Sequence, residues 1–132
     1  MDRSRLEVLA RRYGIVLLLD FGSAVSGRMH ARSDVDLAVL LERAPLGLDE
    51  HAALLHDLQA LHPGREVDLA VINHADPLFL KQVTQGCRLA YGSERRLQAL
   101  KLNAFKRYQD HRRYLALERD YVRRALRTLA PA

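Results

Sequence analysis

Hydrophobic residues cluster in short runs separated by segments in which they recur every three or four positions. The runs, such as Ile15 to Leu19 and Val35 to Leu41, hold five to seven residues, a length typical of buried strands. A third run extends from Val67 to Ile72. A fourth, shorter one lies between two glycines. We therefore predict four strands, at residues 15–19, 35–41, 66–72 and 88–91.

The segments with helical spacing carry recognisable start and stop residues. Gly14 follows the first helix as a cap, Asp49 is the predicted N-cap of the second, and Asp76-Pro77 opens the third. Ser93 precedes a long stretch without Gly or Pro. The predicted helices span residues 3–13, 50–61, 76–85 and 93–129, with a turn or short helix at 24–29.

Strands that alternate with helices predict a small α/β (α+β) domain with a mixed sheet and flanking helices. With 132 residues the chain has the length of one domain. We assign residues 1–92 to a catalytic core and 93–132 to a C-terminal helix packed on it. One helical stripe runs along this helix, and we expect part of it to serve a partner. Its members are Leu97, Leu100, Ala104, Tyr108, Leu115, Val122, Leu126 and Leu129.

Composition adds constraints on location and partners. Hydrophobic residues make up 48% and charged residues 28%, which excludes disordered and fibrous classes. No apolar run approaches the ~20 residues that span a bilayer, no secretory leader pattern opens the chain, and Cys87 alone excludes an internal disulfide. We expect a cytoplasmic protein. The net charge of +5 is uneven: residues 93–132 carry +7 and residues 1–92 carry −2, which favours an anionic or acidic partner for the tail.

Acidic residues interrupt two of the predicted strands. Asp34 and Asp36 are two positions apart and share one face at the start of the second strand. Two carboxylates ~4 Å apart repel by about 4 kcal/mol at an effective dielectric near 20. Magnesium, held by carboxylates and substrate phosphates, would resolve this repulsion. Asp68 lies in the third strand, and if the two strands are neighbours the three carboxylates converge.

Three such carboxylates suit two-metal phosphoryl or nucleotidyl transfer. Asp34 and Asp36 would hold metal, and Asp68 would hold the catalytic metal or act as general base. Gly22 and Ser23 follow the first strand, where a backbone close approach and a hydroxyl suit the phosphates of a nucleotide. Asp20 either orients this turn or simply ends the strand.

The spacing Gly22-Ser23, ten residues, Asp34-x-Asp36 resembles the signature of the DNA polymerase β-like nucleotidyltransferase superfamily. The short length and residues 33–40 resemble its minimal nucleotidyltransferase (MNT) branch, and the likeness extends over most of the chain. It is similar above all to the MntA-type antitoxins of HEPN–MNT toxin–antitoxin pairs. The resemblance implies a nucleotidyltransferase fold, ATP and Mg²⁺, and transfer of AMP to a tyrosine of a HEPN RNase toxin.

The resemblance also implies site residues. Asp34, Asp36 and Asp68 match the family's catalytic and metal-binding carboxylates. The nucleotide-binding positions would be Gly22, Ser23, Gly27, Arg28 and Ser33. The chain departs from the family at Ser26, where an arginine is frequent, and Arg28 or Arg32 would have to supply that charge.

Other functions remain open. A catalytically silent antitoxin would neutralise the toxin by binding alone. A small-molecule transferase, for example acting on an aminoglycoside, would build its acceptor pocket as a homodimer. A basic RNA-binding module would use the aromatic residues and arginines of the tail. A toxin hetero-oligomer is the expected assembly under the antitoxin interpretation.

Overall fold

A computed structural model of the protein describes residues 1–22 and 34–129. These residues form four helices and a four-stranded mixed sheet. In chain order the elements are α1 (Arg3–Tyr13), β1 (Ile15–Phe21), β2 (Val35–Leu41), α2 (Leu48–Ala60), β3 (Val67–Val71), α3 (Pro77–Gln85), β4 (Arg88–Tyr91) and α4 (Glu94–Leu129). The predicted fold class is confirmed.

The strands lie in the order β3-β2-β1-β4. β1 is antiparallel to both β2 and β4, whereas β2 and β3 are parallel neighbours. The parallel pair requires a crossover between its strands, and α2 supplies it. Because β2 lies between β1 and β3, the polar residues at its beginning face residues of both neighbours.

The helix ends follow from local chemistry. The Asp2 carboxylate accepts a hydrogen bond from Ser4 N at 3.0 Å, and Gly14 closes α1 in the left-handed conformation at φ 67°. Asp76 accepts from Leu78 N at 2.8 Å, and Ser93 Oγ accepts from Arg96 N at 3.1 Å. These starts agree with the sequence prediction.

The predicted cap of α2 is wrong. The helix begins at Leu48, its N-cap is Gly47, and no side chain caps it. Asp49 and Glu50 instead occupy the first turn, where their negative charge is favourable beside the positive end of the helix dipole.

Hydrophobic side chains fill both faces of the sheet. On one face, α1 and α2 pack against alternate residues of β1, β2 and β3, including Leu18, Leu37 and Val39. On the other, α3 and the first part of α4 cover Leu17, Leu19 and Ala38. Within β2, only the side chain of Asp36 belongs to neither core.

Only the first part of α4 contributes to the core. Leu97, Leu100 and Ala104 are buried, but none of its later residues up to Leu129 is. A helix of 36 residues is about 54 Å long, which exceeds the width of a four-stranded sheet. The predicted stripe therefore continues beyond the domain. None of the described helices is long and apolar enough to cross a membrane.

Candidate active site

Two of the predicted carboxylates are direct neighbours across parallel strands. Asp36 of β2 pairs in register with Asp68 of β3, so both side chains emerge on the same face of the sheet. Adjacent strands lie about 4.8 Å apart. The beginning of β3 is fixed by two hydrogen bonds: Val35 N donates to Glu66 O at 2.7 Å, and Val67 N donates to Gln59 Oε1 at 3.0 Å.

The third carboxylate lies close to this pair. Asp34 is exposed and directly precedes β2, two positions before Asp36. Its charge acts on Asp36, as does that of Asp68. The described residues do not contain a formed metal-binding cluster of three or more such ligands. The structure thus brings Asp36 and Asp68 together, and it places the exposed Asp34 close enough for its charge to raise the pKa of Asp36.

The electrostatics of the site concentrate on Asp36. Partial burial raises its pKa above the ordinary 3.8, and the negative charges of Asp68, Asp34 and Asp20 raise it further. Each of these causes disfavours the ionised carboxylate. A bound cation would reverse that preference, and carboxylate oxygens are the ligands that hard divalent cations prefer. The donor set therefore fits magnesium.

Gly22 lies directly against the Asp36 carboxylate. It has φ 89°, a conformation that side chains other than hydrogen disfavour. A Cβ at this position would collide with Asp36 Oδ2 and lie 3.1 Å from Asp36 Cγ. The end of β1 can approach the start of β2 this closely only because residue 22 is glycine.

An aromatic pair connects α3 to the same end of the sheet. Phe21 pairs in register with Asp36, and its ring meets that of Phe79 edge to face, with centroids 6.1 Å apart. Phe79 remains 36% exposed. Apolar ring surface therefore adjoins the carboxylates on the helix side.

The ion pair between Asp20 and Arg88 was not predicted from the sequence. Asp20 is 5% exposed and accepts a hydrogen bond from the Arg88 guanidinium at 2.9 Å. Alternation along β1 directs it to the face opposite Phe21. Its Oδ1 atom has no hydrogen-bond partner among the described residues. The only sequence signal is an acidic residue within an apolar run, and nothing near it in the chain indicates Arg88.

Several predicted nucleotide-binding residues lie outside the described ranges 1–22 and 34–129. These are Ser23, Gly27, Arg28 and Ser33, together with Ser26 and Arg32. Their roles stay predictions. Of the predicted phosphate-binding turn, the structure describes Gly22 alone.

Comparison with known proteins identifies the type of domain. Residues 6–96 match the family model described as polymerase beta, nucleotidyltransferase. No curated protein sequence matches the chain significantly.

Solved structures with this fold include toxin–antitoxin complexes. One is a toxin–antitoxin with AMP-PNP, at 24% identity and TM-score 0.71, covering 96% of this chain and 98% of the other. Another is the Shewanella oneidensis MNT antitoxin complex with a tri-AMPylated HEPN toxin, at 21% identity and TM-score 0.64, with 93% of each chain covered.

A third similar structure is a spectinomycin adenyltransferase from Enterococcus faecialis, at 14% identity and TM-score 0.55. The match covers 74% of this chain and 57% of that one. At these identities the likenesses show the shared fold.

Proposed function

This chain belongs to the polymerase beta nucleotidyltransferase family, and we propose that it transfers AMP from ATP to a tyrosine hydroxyl of a cognate HEPN toxin. The observation that carries the proposal is the in-register pair Asp36 and Asp68 beside Gly22, with Asp34 adjacent. Two-metal nucleotidyl transfer requires carboxylates that are grouped in this way. The modification would neutralise the toxin, so that the chain acts as an antitoxin.

The reaction requires one bond to form and one to break. The acceptor oxygen bonds to the α-phosphorus of ATP, the bond from that phosphorus to the bridging oxygen breaks, and pyrophosphate leaves. The acceptor hydroxyl loses its proton. We assign Asp68, the more exposed member of the in-register pair, as the base that accepts this proton. Gly22 would allow the nucleotide phosphates to approach the backbone.

We assign Asp34, Asp36 and Asp68 as the residues that hold Mg²⁺. Bound there, Mg²⁺ would neutralise phosphate charge and lower the pKa of the acceptor hydroxyl. Asp36 must be ionised to serve as a ligand, whereas its burial and the neighbouring negative charges raise its pKa. Metal binding there would offset this cost of ionising Asp36 and would depend on pH as the carboxyl titrates.

A toxin is favoured as acceptor by the similar solved structures. Several that span nearly the whole of this chain are toxin–antitoxin complexes, one with an ATP analogue and one with an AMPylated toxin. Beyond residues 1–92 the chain has a single described helix, α4. A single helix does not by itself enclose a small-molecule pocket.

A small-molecule acceptor is the second candidate, because an adenyltransferase for spectinomycin shares the fold. That enzyme is longer, since the match covers 57% of it. On this alternative, a second copy of the chain would have to complete the acceptor pocket.

Transfer of radiolabelled AMP tests the proposal. The protein is incubated with α-labelled ATP, Mg²⁺ and either its cognate HEPN toxin or spectinomycin. We expect label on the HEPN protein, none on spectinomycin, and none with EDTA or with the Asp34→Ala/Asp36→Ala variant. Asp110→Ala is the matched control, since it removes an exposed carboxylate from the distal part of α4. Label retained by the double variant would refute the assigned site, and a stable complex without label would indicate a silent antitoxin.

A further inference from the structure

The face of α4 that packs on the domain continues, uncovered, beyond it. Leu97 and Ala104 are buried on this face, and Tyr108 follows one turn later. At 100° per residue, four later apolar residues fall within about 60° of the same direction. They are Leu115, Val122, Leu126 and Leu129. We call these four residues the apolar stripe.

The apolar stripe is exposed to solvent. Leu115 and Val122 are 46% and 47% exposed, Leu126 is 61% and Leu129 80% exposed. Four exposed aliphatic side chains on one side of a helix are an interaction surface rather than scattered surface residues. None of the described elements covers them.

The helix is anchored where it leaves the domain. Arg107 donates a hydrogen bond to Ala75 O at 3.0 Å, and the Lys81 ammonium lies 4.0 Å from the centre of the Tyr108 ring. Both contacts tie α4 to α3 and the loop before it. The following residues, 109–129, which we call the distal segment, therefore project from a fixed base.

Charge and aromatic residues flank the stripe on opposite sides. By the same helical geometry, Arg112, Arg119 and Arg123 lie along one side of it. Tyr114 and Tyr121, 63% and 73% exposed, lie on the other. The distal segment holds six arginines and three acidic residues, a net charge of +3. Arginine and tyrosine are the residue types most frequent at protein-interface hot spots.

These features select one class of occupant. A second copy of the segment would bring two charges of +3 together, which opposes pairing of this helix with itself. RNA would satisfy the arginines and could stack on Tyr114 and Tyr121, but it would leave the four aliphatic side chains of the stripe uncovered. A protein groove with an apolar floor and carboxylates along one rim satisfies both the stripe and the arginine row.

We propose that the distal segment of α4 docks into an apolar groove with an acidic rim on a protein partner. The proposal rests on the proposed function, in which that partner is the HEPN protein that receives AMP. It separates docking from chemistry: the distal segment holds the partner, and the carboxylates of β2 and β3 perform the transfer.

Three variants test the docking surface. The first, Leu115→Ala/Val122→Ala/Leu126→Ala, shortens the stripe. The second reverses the arginine row, as Arg112→Glu/Arg119→Glu/Arg123→Glu. The matched control Lys106→Glu/Arg113→Glu/Arg124→Glu makes the same charge change on the opposite side of the helix. All substituted side chains are exposed, and alanine and glutamate are good helix formers, so α4 stays folded.

Affinity for the purified cognate HEPN toxin is measured by calorimetry. We expect the stripe variant to bind at least ~30-fold more weakly and the row variant ~10-fold more weakly, with the control within ~3-fold of the unsubstituted protein. MgATP affinity stays unchanged in all three. Unchanged affinity of the stripe variant would overturn the proposal, as would equal weakening by the row and control variants.

Further arms separate this proposal from its alternatives and from the proposed function. A homodimer that the stripe variant converts to monomers, or binding of a 20-nucleotide RNA lost in that variant, would assign the surface elsewhere and overturn the proposal. A tight complex without AMP transfer, weakened by the stripe variant, would refute the proposed chemistry and support the docking surface. Undiminished binding and transfer by the stripe variant would refute the docking surface and support the proposed chemistry.

Discussion

Asp36 is the residue on which the structure places the most conflicting demands. It is partly buried, it pairs in register with Asp68 on the neighbouring strand, and Asp34 and Gly22 lie close to it. A fold optimised for stability alone would not keep these carboxylates together. Functional sites are where such costs are retained.

The raised pKa of Asp36 predicts how stability depends on pH. The folded state holds this proton more tightly than the unfolded chain, so the group's contribution to stability falls as pH rises from about 3.8 through the raised pKa. The Asp36→Asn variant has no titratable carboxyl at this position and therefore lacks this pH-dependent contribution to stability. We expect the variant to lose transfer activity and to gain stability, relative to the unsubstituted protein, as pH rises through that window.

Urea unfolding without added metal, followed across that pH range, measures this difference. Asp110→Asn, which changes an exposed carboxylate on the distal segment, is the control and gives no such trend. A relative stability of Asp36→Asn that declines toward neutral pH would contradict the assigned electrostatics.

Gly22→Ala tests the contact between β1 and the Asp36 carboxylate. The added Cβ meets Asp36 Oδ2 in a backbone conformation at φ 89°, so we expect a stability loss of roughly 1–3 kcal/mol and at least ~10-fold slower transfer. Gly64→Ala is the control: φ is also positive, at 78°, but its Cβ would have no neighbour within 4 Å. It should lose stability but keep its transfer rate. Equal rates for both variants would argue against the Gly22 contact.

At the scale of elements, two side chains hold β3 at its two ends. Gln59 of α2 accepts a hydrogen bond from Val67 N at 3.0 Å, next to Asp68. Asn73 accepts from Leu41 N at 3.0 Å and donates to Leu41 O at 2.7 Å, at the other end. Both side chains hold one end of β3 through hydrogen bonds, but only Gln59 lies beside the candidate site.

Alanine at these two positions should therefore separate stability from activity. We expect Gln59→Ala and Asn73→Ala each to lose about 1–2 kcal/mol of unfolding free energy. Only Gln59→Ala should also slow transfer, by several-fold, because the start of β3 carries Asp68. If both variants slow transfer equally after correction for the unfolded fraction, Gln59 has no special role in positioning Asp68.

The division of α4 predicts a second contrast. Leu97 is 3% exposed in the core, whereas Leu115 is 46% exposed on the stripe. Leu97→Ala should lose about 2–4 kcal/mol of unfolding free energy and Leu115→Ala less than about 0.5 kcal/mol. Urea denaturation of the isolated protein measures both. A large loss for Leu115→Ala would mean that a part of this same chain covers the stripe.

The elements were predictable where local signals exist. Gly14, Asp76-Pro77 and Ser93 mark helix ends through contacts within three or four residues, and apolar runs mark the strands. The signals fail where the partner is distant in the chain. Asp20 and Arg88 are 68 positions apart, and Gln59 reaches Val67 only once α2 has packed on β3.

The candidate site was predictable to a similar degree. The alternating aspartates of β2 and the single aspartate of β3 indicated shared chemistry, and the parallel pairing of those strands confirms that Asp36 and Asp68 are neighbours. The collision that forces glycine at residue 22 depends on the side-chain position of Asp36, which spacing does not give.

On the scale of the whole molecule, the protein separates a nearly neutral core from a basic helix that extends past it. Residues 1–92 carry −2, and the distal segment carries +3 with an uncovered apolar stripe. Under the two proposals, chemistry and partner binding occupy different parts of one small chain. This division accounts for a helix much longer than its core requires.

The most direct test of this account is the intact mass of the HEPN-type partner after incubation with this protein, ATP and Mg²⁺. We predict a mass increase of one or more AMP units, absent with Asp34→Ala/Asp36→Ala and undiminished with the Asp110→Ala control. An unchanged mass in a stable complex with the unsubstituted protein would contradict the assignment of these carboxylates to AMP transfer.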